Sequence, residues 1–175
     1  MTGTREFKVC VVGGEKVGKT SLITVYGTGA FPTGFVPALA ENYGGKLQLP
    51  DEQVDLTILD SQSSETYDSI RPLSYNAADA FVVCFNLIDI STLRQVETKW
   101  KREVRSVGPR GAPVILVGCQ ADLRDSCAKD DHKQYFDCMG EVSEIVTTEE
   151  GLTCQAKNKF FAYIECSALN GDKCE

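Results

Sequence analysis

The sequence predicts an α/β domain with a mostly parallel central sheet. Three observations carry that prediction. Short apolar runs alternate along the chain with longer amphipathic stretches, the pattern of strands separated by helices. Two of the runs, Ala80-Phe81-Val82-Val83-Cys84-Phe85 and Val114-Ile115-Leu116-Val117, are continuously apolar, as strands covered on both faces are. A glycine-rich loop joins the first apolar run directly to a helical stretch.

The elements follow in order. Phe7-Lys8-Val9-Cys10-Val11-Val12 is the first strand, closed by glycines, and Ser21-Leu22-Ile23-Thr24-Val25-Tyr26 is helical. Lys46-Leu47-Gln48-Leu49 and residues 54–60 meet across a Pro50-Asp51 turn. That pair reads as a hairpin and places an antiparallel strand at one sheet edge. The clearest helix spans 91–107, where Leu93, Val96, Trp100, Val104 and Val107 form one apolar stripe. Ser91 is its expected N-cap and Gly108-Pro109 its stop. On that stripe Trp100 reads as core rather than as a ligand platform. Thr147 and Glu150 have the spacing of a capping box and open another helix. Phe160-Phe161-Ala162-Tyr163-Ile164 is the last strand. Residues 125–143 are polar and charged with no strand-like run, and read as a surface insertion or a short helix. No repeat and no low-complexity linker interrupts the chain, so one domain over 1–175 is expected.

Composition narrows the function. With 175 residues, 42% hydrophobic and 25% charged, the chain suits an ordinary globular core. No apolar run approaches the ~18 residues of a membrane helix. The first residues lack a signal-peptide core, and a cytoplasmic location is expected. A net charge of −7 argues against general nucleic-acid binding, which needs cations to neutralise phosphates. The eight cysteines contain no CxxC pair, and His132 is the single histidine, which disfavours zinc. Cys10, Cys84, Cys119 and Cys166 sit in or beside apolar runs and read as small core residues in a reducing compartment.

The loop Gly13-Gly14-Glu15-Lys16-Val17-Gly18-Lys19-Thr20 matches G-x-x-x-x-G-K-[ST] between a strand and a helix, the context that makes the match specific. Glycines let backbone N–H groups turn around phosphate oxygens, and the helix N-terminus adds a positive dipole. Lys19 is placed to reach the terminal phosphates and the Thr20 hydroxyl to ligate Mg²⁺. Asp60 ends the strand 54–60, where ligands of α/β sheets gather, and is the second expected Mg²⁺ residue, usually through water.

Further stretches carry a resemblance. These are Phe31-Pro32 with Phe35-Val36-Pro37, Tyr67-Asp68-Ser69-Ile70-Arg71-Pro72-Leu73-Ser74-Tyr75, Asp122-Leu123-Arg124 and Glu165-Cys166-Ser167-Ala168. With the phosphate loop they resemble the Ras superfamily of small GTPases, and its Rho family in particular, over nearly the whole chain. The resemblance implies a six-stranded sheet with one antiparallel edge strand and helices on both faces. It implies an insertion over about 125–146, where Rho proteins carry an extra helix. It implies GTP or GDP as ligand, with phosphate contacts from Glu15, Lys16, Val17, Gly18, Lys19, Thr20 and Ser21. Asp122 would hold the guanine edge, and Ser167, Ala168 and Leu169 would lie against the base. Phe31 would pack edge-on nearby, and Gln120 stands where the family has lysine, which implies weaker binding. Asp122 by itself could also be a loop N-cap.

The departures cluster where hydrolysis happens. Ala38 replaces the family's Mg²⁺-ligating threonine of the first switch. The family's Asp-x-x-Gly-Gln reads Asp60-Ser61-Gln62-Ser63-Ser64, so Ser63 replaces the glycine that meets the third phosphate and Ser64 the water-orienting glutamine. Gln62 lies two residues early. Glu15 obstructs an inserted arginine finger, and Lys16 beside it offsets part of its charge. These losses imply a nucleotide binder with negligible hydrolysis, since finger and oriented water together account for ~10³–10⁵ in rate. They also imply a first switch, 31–43, that responds little to nucleotide. Leu39-Ala40-Glu41 lacks the family's effector aromatic, so effectors or regulators are expected to be non-standard unless the change is drift on an exposed loop.

After Gly171 the family continues into a long helix and a lipidated C-a-a-X tail. This sequence ends at Asp172-Lys173-Cys174-Glu175, and Cys174 does not fit that motif. Membrane association is expected only for a longer form, and an uncovered sheet face would call for a partner. Three other readings stand beside the first: a working GTPase using Ser64 or Gln62, a nucleotide-free scaffold, and, remotely, a P-loop kinase. The set Lys19, Thr20, Asp60 and Asp122 opposes the scaffold.

Overall fold

The computed structural model describes residues 5–34, 42–129, 134–136 and 142–174. Phe35, Val36, Pro37, Ala38, Leu39, Ala40, Glu41, His132 and Glu175, all named above, lie outside the described residues.

Strand β1 (Arg5–Gly13) leads through the phosphate loop into helix α1 (Lys19–Thr28). β2 (Asn42–Gln48) and β3 (Gln53–Asp60) form the expected antiparallel hairpin, with Leu47 opposite Val54. β4 (Ala80–Asn86), β5 (Val114–Cys119) and β8 (Ala162–Glu165) complete a six-stranded sheet in the order β2-β3-β1-β4-β5-β8. All pairs but β2–β3 are parallel. β8 begins two residues later than the apolar run suggested, because Phe160 is buried ahead of it and Phe161 is exposed.

Residues 90–107 form one helical rod in three parts: α2 (Ile90–Gln95), a π-helical stretch Val96–Trp100, and α3 (Lys101–Val107). Leu93, Val96, Trp100 and Val104 are buried on the sheet, as the stripe predicted, whereas Val107 is exposed at the end. The N-cap is Asp89, not Ser91: the Ser91 N–H donates to Asp89 Oδ1 at 2.9 Å. A carboxylate one residue before the helix meets the first-turn donors that a residue inside the turn cannot. Gly108 ends the rod, as expected.

α4 (Ala121–Lys129) follows β5 directly. Two short strands, β6 (Gln134–Phe136) and β7 (Val142–Glu144), then pair antiparallel. The expectation of no strand in 125–143 is therefore corrected: a two-stranded ladder forms from residues without an apolar alternation. α5 (Thr148–Asn158) opens with the predicted capping box, Thr147 and Glu150 bonding reciprocally.

Helices cover both faces. One core packs Trp100, Val96 and Cys154 against Phe81, Phe85 and Leu116. The other packs α1, through Ile23 and Val25, against Val11, Ile58, Cys84 and Val117. The free cysteines Cys10, Cys84, Cys119, Cys154, Cys166 and Cys174 are all buried. No described helix is long and apolar enough to cross a membrane.

Candidate functional site

The carboxyl ends of β1, β3, β5 and β8 converge on one rim, where a parallel sheet opens its crevice. Backbone shape builds the phosphate loop. Gly13 has φ 150 and runs so close to the Cys84 carbonyl that a Cβ has no room. Gly18, at φ 104, caps α1 with its amide side open, and a Cβ there would sit 3.3 Å from that of Cys119. Lys19 is buried and its ammonium donates to the Gly13 carbonyl at 3.0 Å and the Gly14 carbonyl at 2.8 Å. Desolvation pulls its pKa below the ordinary lysine value. Lys19 thus lies along the loop with its charge at the mouth the phosphates would enter.

The Thr20 hydroxyl donates to Asp60 Oδ2 at 2.7 Å. Asp60 is buried. A hydroxyl and a carboxylate side by side form an all-oxygen donor pair, which suits Mg²⁺. Next to Asp60, the Ser61 hydroxyl donates to the Val11 carbonyl at 2.6 Å and pins β3 to β1 at the rim.

A hollow of about 680 Å³ lies over this loop, lined by Glu15, Lys16, Lys19, Thr20 and, from the far side, Gln62, Ser63 and Ser64. A second, of about 330 Å³, is lined by Cys119, Gln120, Asp122, Cys166, Ala168 and Leu169. Gly18, Ser21, Phe31 and Gln120 line both. Of the sequence-predicted residues, Val17, Asp60 and Ser167 line neither; the Val17 side chain is buried in the core, and Asp60 reaches the loop through its bond from Thr20. Ser167 is also buried, and its hydroxyl donates to Asp122 Oδ1 at 2.6 Å. Asp122 lies in the first turn of α4 rather than at an N-cap. Gln120 adopts φ 66 and its Nε2 donates to the Lys16 carbonyl at 3.2 Å, so the amide ties the second hollow to the phosphate loop.

Two supports were not foreseen. Arg124 Nη2 donates to Glu165 Oε2 at 2.8 Å, and the Tyr163 hydroxyl donates to Glu165 Oε1 at 2.7 Å. Burial pushes the Glu165 pKa up, but these hydrogen bonds outweigh it and hold the carboxyl below its ordinary value. Together they tie α4 to β8 beneath the second hollow. Arg71 is the other support. Its Nη1 donates to the Gln62 carbonyl at 2.9 Å, its Nε to Glu103 Oε1 at 2.8 Å and its Nη2 to Asp68 Oδ1 at 2.6 Å. The guanidinium lies 4.7 Å from the centre of the Trp100 ring. The 3-10 turns Glu65–Tyr67 and Arg71–Ala77 are thereby clamped to the rod 90–107. Arg71 entered the sequence analysis only as part of a similar stretch; no periodicity marks a clamp whose Glu103 partner lies 32 residues away.

Residues 8–175 match the Ras family profile. The chain is 33% identical over 165 residues to the Rho-related GTP-binding protein RhoE of Homo sapiens, and equally to those of Mus musculus and Rattus norvegicus. The match covers 94% of this chain and 65% of each relative, so the chain spans just under two thirds of their length. With the phosphate loop, the β2–β3 antiparallel edge and this match in hand, the chain belongs to the Ras family and is similar to Rho-related GTP-binding proteins.

Proposed function

We propose that the chain is one guanine-nucleotide-binding domain of a Rho-like signalling protein that binds GTP or GDP with Mg²⁺, hydrolyses GTP very slowly and switches weakly. The observation that carries this is the joining of two hollows around Gly18, Ser21, Phe31 and Gln120. One is lined by a phosphate-binding loop and the other contains a carboxylate. The Asp122 carboxylate, oriented by Ser167, has acceptor capacity left for two donors on one edge, the pattern guanine presents and adenine does not. Gln120 supplies a flat amide stem under the base and keeps the loop bridge without the family lysine's charge.

Thr20 and Asp60 would hold Mg²⁺, which when bound neutralises phosphate charge. Slow hydrolysis rests on what lines the phosphate hollow. Ser64 is too short to orient water as a glutamine does, and Glu15 occupies the approach an arginine finger would use. Weak switching rests on Ala38, which has no side-chain hydroxyl to offer, and on Ser63 at the glycine position. A switch needs contacts made with one nucleotide and not the other. The Arg71 clamp adds an anchor for 62–77 that does not involve the ligand. Protein regulators or effectors are the expected partners, and a membrane only through a lipidated tail in a longer form.

Thermal unfolding with nucleotide tests the reading. GDP or GTP with Mg²⁺ should raise Tm, because a ligand at about 100-fold over its Kd adds about 2.7 kcal/mol to the native state; ATP should not. No rise with either guanine nucleotide would leave a scaffold as the better description.

A further inference from the structure

Four buried thiols run in a row beneath the two hollows. Cys84 is on β4, Cys119 ends β5, Cys166 follows β8, and Cys174 lies near the C-terminus; all four belong to one packed cluster. Of these, only Cys119 and Cys166 line the second hollow. They are also neighbours across a sheet ladder. Gly118 pairs with Glu165 in the parallel β5–β8 register, and the Cys166 N–H donates to the Gly118 carbonyl at 2.8 Å. The Ala121 N–H donates to the Cys166 carbonyl at 3.1 Å, so the chain stays beside β5 just past the ladder, and Cys119 and Cys166 are the residues that directly follow its last pair, Gly118 and Glu165. Adjacent strands lie about 4.8 Å apart, inside the ~4.4–6.8 Å Cα separation a disulfide spans.

We propose that Cys119 and Cys166 are a modification site, an oxidisable dithiol in the floor of the second hollow that a peroxide converts to a disulfide. The consequence for ligand binding rests on the guanine reading above; the bond itself does not. The Cys119 thiol donates toward Cys166, which holds Cys166 below the ordinary thiol pKa and pushes Cys119 well above it. Cys166 is therefore the attacking sulfur. Its thiolate attacks one peroxide oxygen; the O–O bond breaks, and a sulfenic acid and a hydroxide, protonated to water, result. Cys119 then attacks the sulfenyl sulfur; the S–S bond forms, the S–O bond breaks and a second water leaves. Two electrons pass from the two sulfurs to the peroxide, and two thiols and one peroxide give one disulfide and two waters. Cys84 is farther from entry, since it lines neither hollow. Cys174 is engaged with the Ser167 and Asp172 carbonyls at 3.5 Å each. The bridge also reaches the phosphate loop, because the Cys119 Sγ lies 3.8 Å from where a Gly18 Cβ would be. Moving that sulfur toward Cys166 changes the packing beside Gly18, which lines both hollows.

The test is non-reducing peptide mapping by mass spectrometry of the full chain after hydrogen peroxide, with and without GDP and Mg²⁺. The expected result is a Cys119–Cys166 linked peptide that dithiothreitol removes. It should be absent in C119S and in C166S, and still present in the double variant C84S/C174S. Since a serine variant could fail by misfolding, the double variant and the wild-type map decide. A map dominated by another pair, a sulfenic or sulfinic acid at Cys166 without a bridge, or unreacted thiols would each overturn the proposal. Bound GDP should slow bridging, and equal rates with GDP demonstrably bound would overturn the placement of the pair in the ligand's floor. If GDP does not bind at all, the guanine reading fails, and the unliganded map still decides the dithiol.

Discussion

Asp122 illustrates what a single side chain contributes. One of its oxygens accepts from Ser167, a buried hydroxyl whose own oxygen accepts from the Asn170 N–H at 3.2 Å. The pair is preorganised, so a ligand does not spend binding energy fixing the carboxylate. Asp122→Ala should cut guanine-nucleotide affinity by about 2 kcal/mol, roughly 30-fold, and erase the preference over adenine; competition binding with GDP and ADP checks both. In the proposed function, Glu15 and Ser64 bear on rate and Ser63 on the contact with the third phosphate. The triple variant E15G/S63G/S64Q should raise single-turnover hydrolysis at least about tenfold by restoring an oriented water, measured as phosphate released from loaded GTP. At this scale the sequence was legible where chemistry dictates residue type. Lys19 and Thr20 were identifiable from the loop motif and Asp60 from its place at a strand end, whereas Gln120 and Asp122 came only with the family resemblance; the structure brings Lys19, Thr20, Gln120 and Asp122 to the two joined hollows and bonds Thr20 to Asp60. Val17 was assigned with the loop although its side chain is buried, because a motif marks backbone positions and says nothing of where a side chain points. The Ser167–Asp122 bond was not legible, since 45 residues separate the two.

Among elements, the two arginine supports decide how rigid the site is. Arg124 and Glu165 have side chains only 13% and 14% exposed, so each would leave the other as a nearly dry, unpaired charge. Arg124→Ala should therefore destabilise the fold by about 3 kcal/mol and loosen the second hollow, read by chemical denaturation and by nucleotide off-rate. The sign of the pH effect follows from the depressed Glu165 pKa. Its contribution is fully present above the unfolded value of about 4.3 and is lost as pH falls through the lower folded value. Acid unfolding should accordingly be steep below pH ~4, and Glu165→Gln should flatten that limb while lowering stability near neutrality. Arg71 governs the segment after β3. Amide hydrogen exchange over 62–77 should be nearly the same with GDP as with a non-hydrolysable GTP analogue, and Arg71→Ala should speed it in both. Strong nucleotide-dependent protection there would contradict the clamp. Elements with long apolar stripes were legible: the rod 90–107 lies where its spacing put it, and Thr147 caps α5 as its Thr-x-x-Glu spacing required. The β6–β7 ladder was not, because three-residue strands carry too few side chains for a period of two to show. The π-helical stretch at Val96–Trp100 was equally invisible, since the same stripe is buried with or without it.

For the molecule as a whole, the sheet order puts the phosphate loop, Asp60 and the Cys119–Gln120 corner at the same end, so one ligand can touch all of them. The parallel arrangement was legible from the two doubly covered runs on β4 and β5, and the edge strand from the Pro50-Asp51 turn. What the pattern of apolar residues could not give was the expected rate of hydrolysis, which in the proposed function turns on the single residues Glu15, Ala38, Ser63 and Ser64. The proposed function requires that this chain binds GTP and hydrolyses it far more slowly than an ordinary family member. The most direct test is a single-turnover assay: load the chain with GTP labelled on its third phosphate in the presence of Mg²⁺, quantify the loaded nucleotide by anion exchange, and follow phosphate release at 25 °C. The recovered nucleotide should still be almost all GTP after hours, with phosphate release close to that of a protein-free control. Release at the intrinsic rate of an ordinary family member, on the order of 10⁻⁴ s⁻¹ or faster, would contradict it.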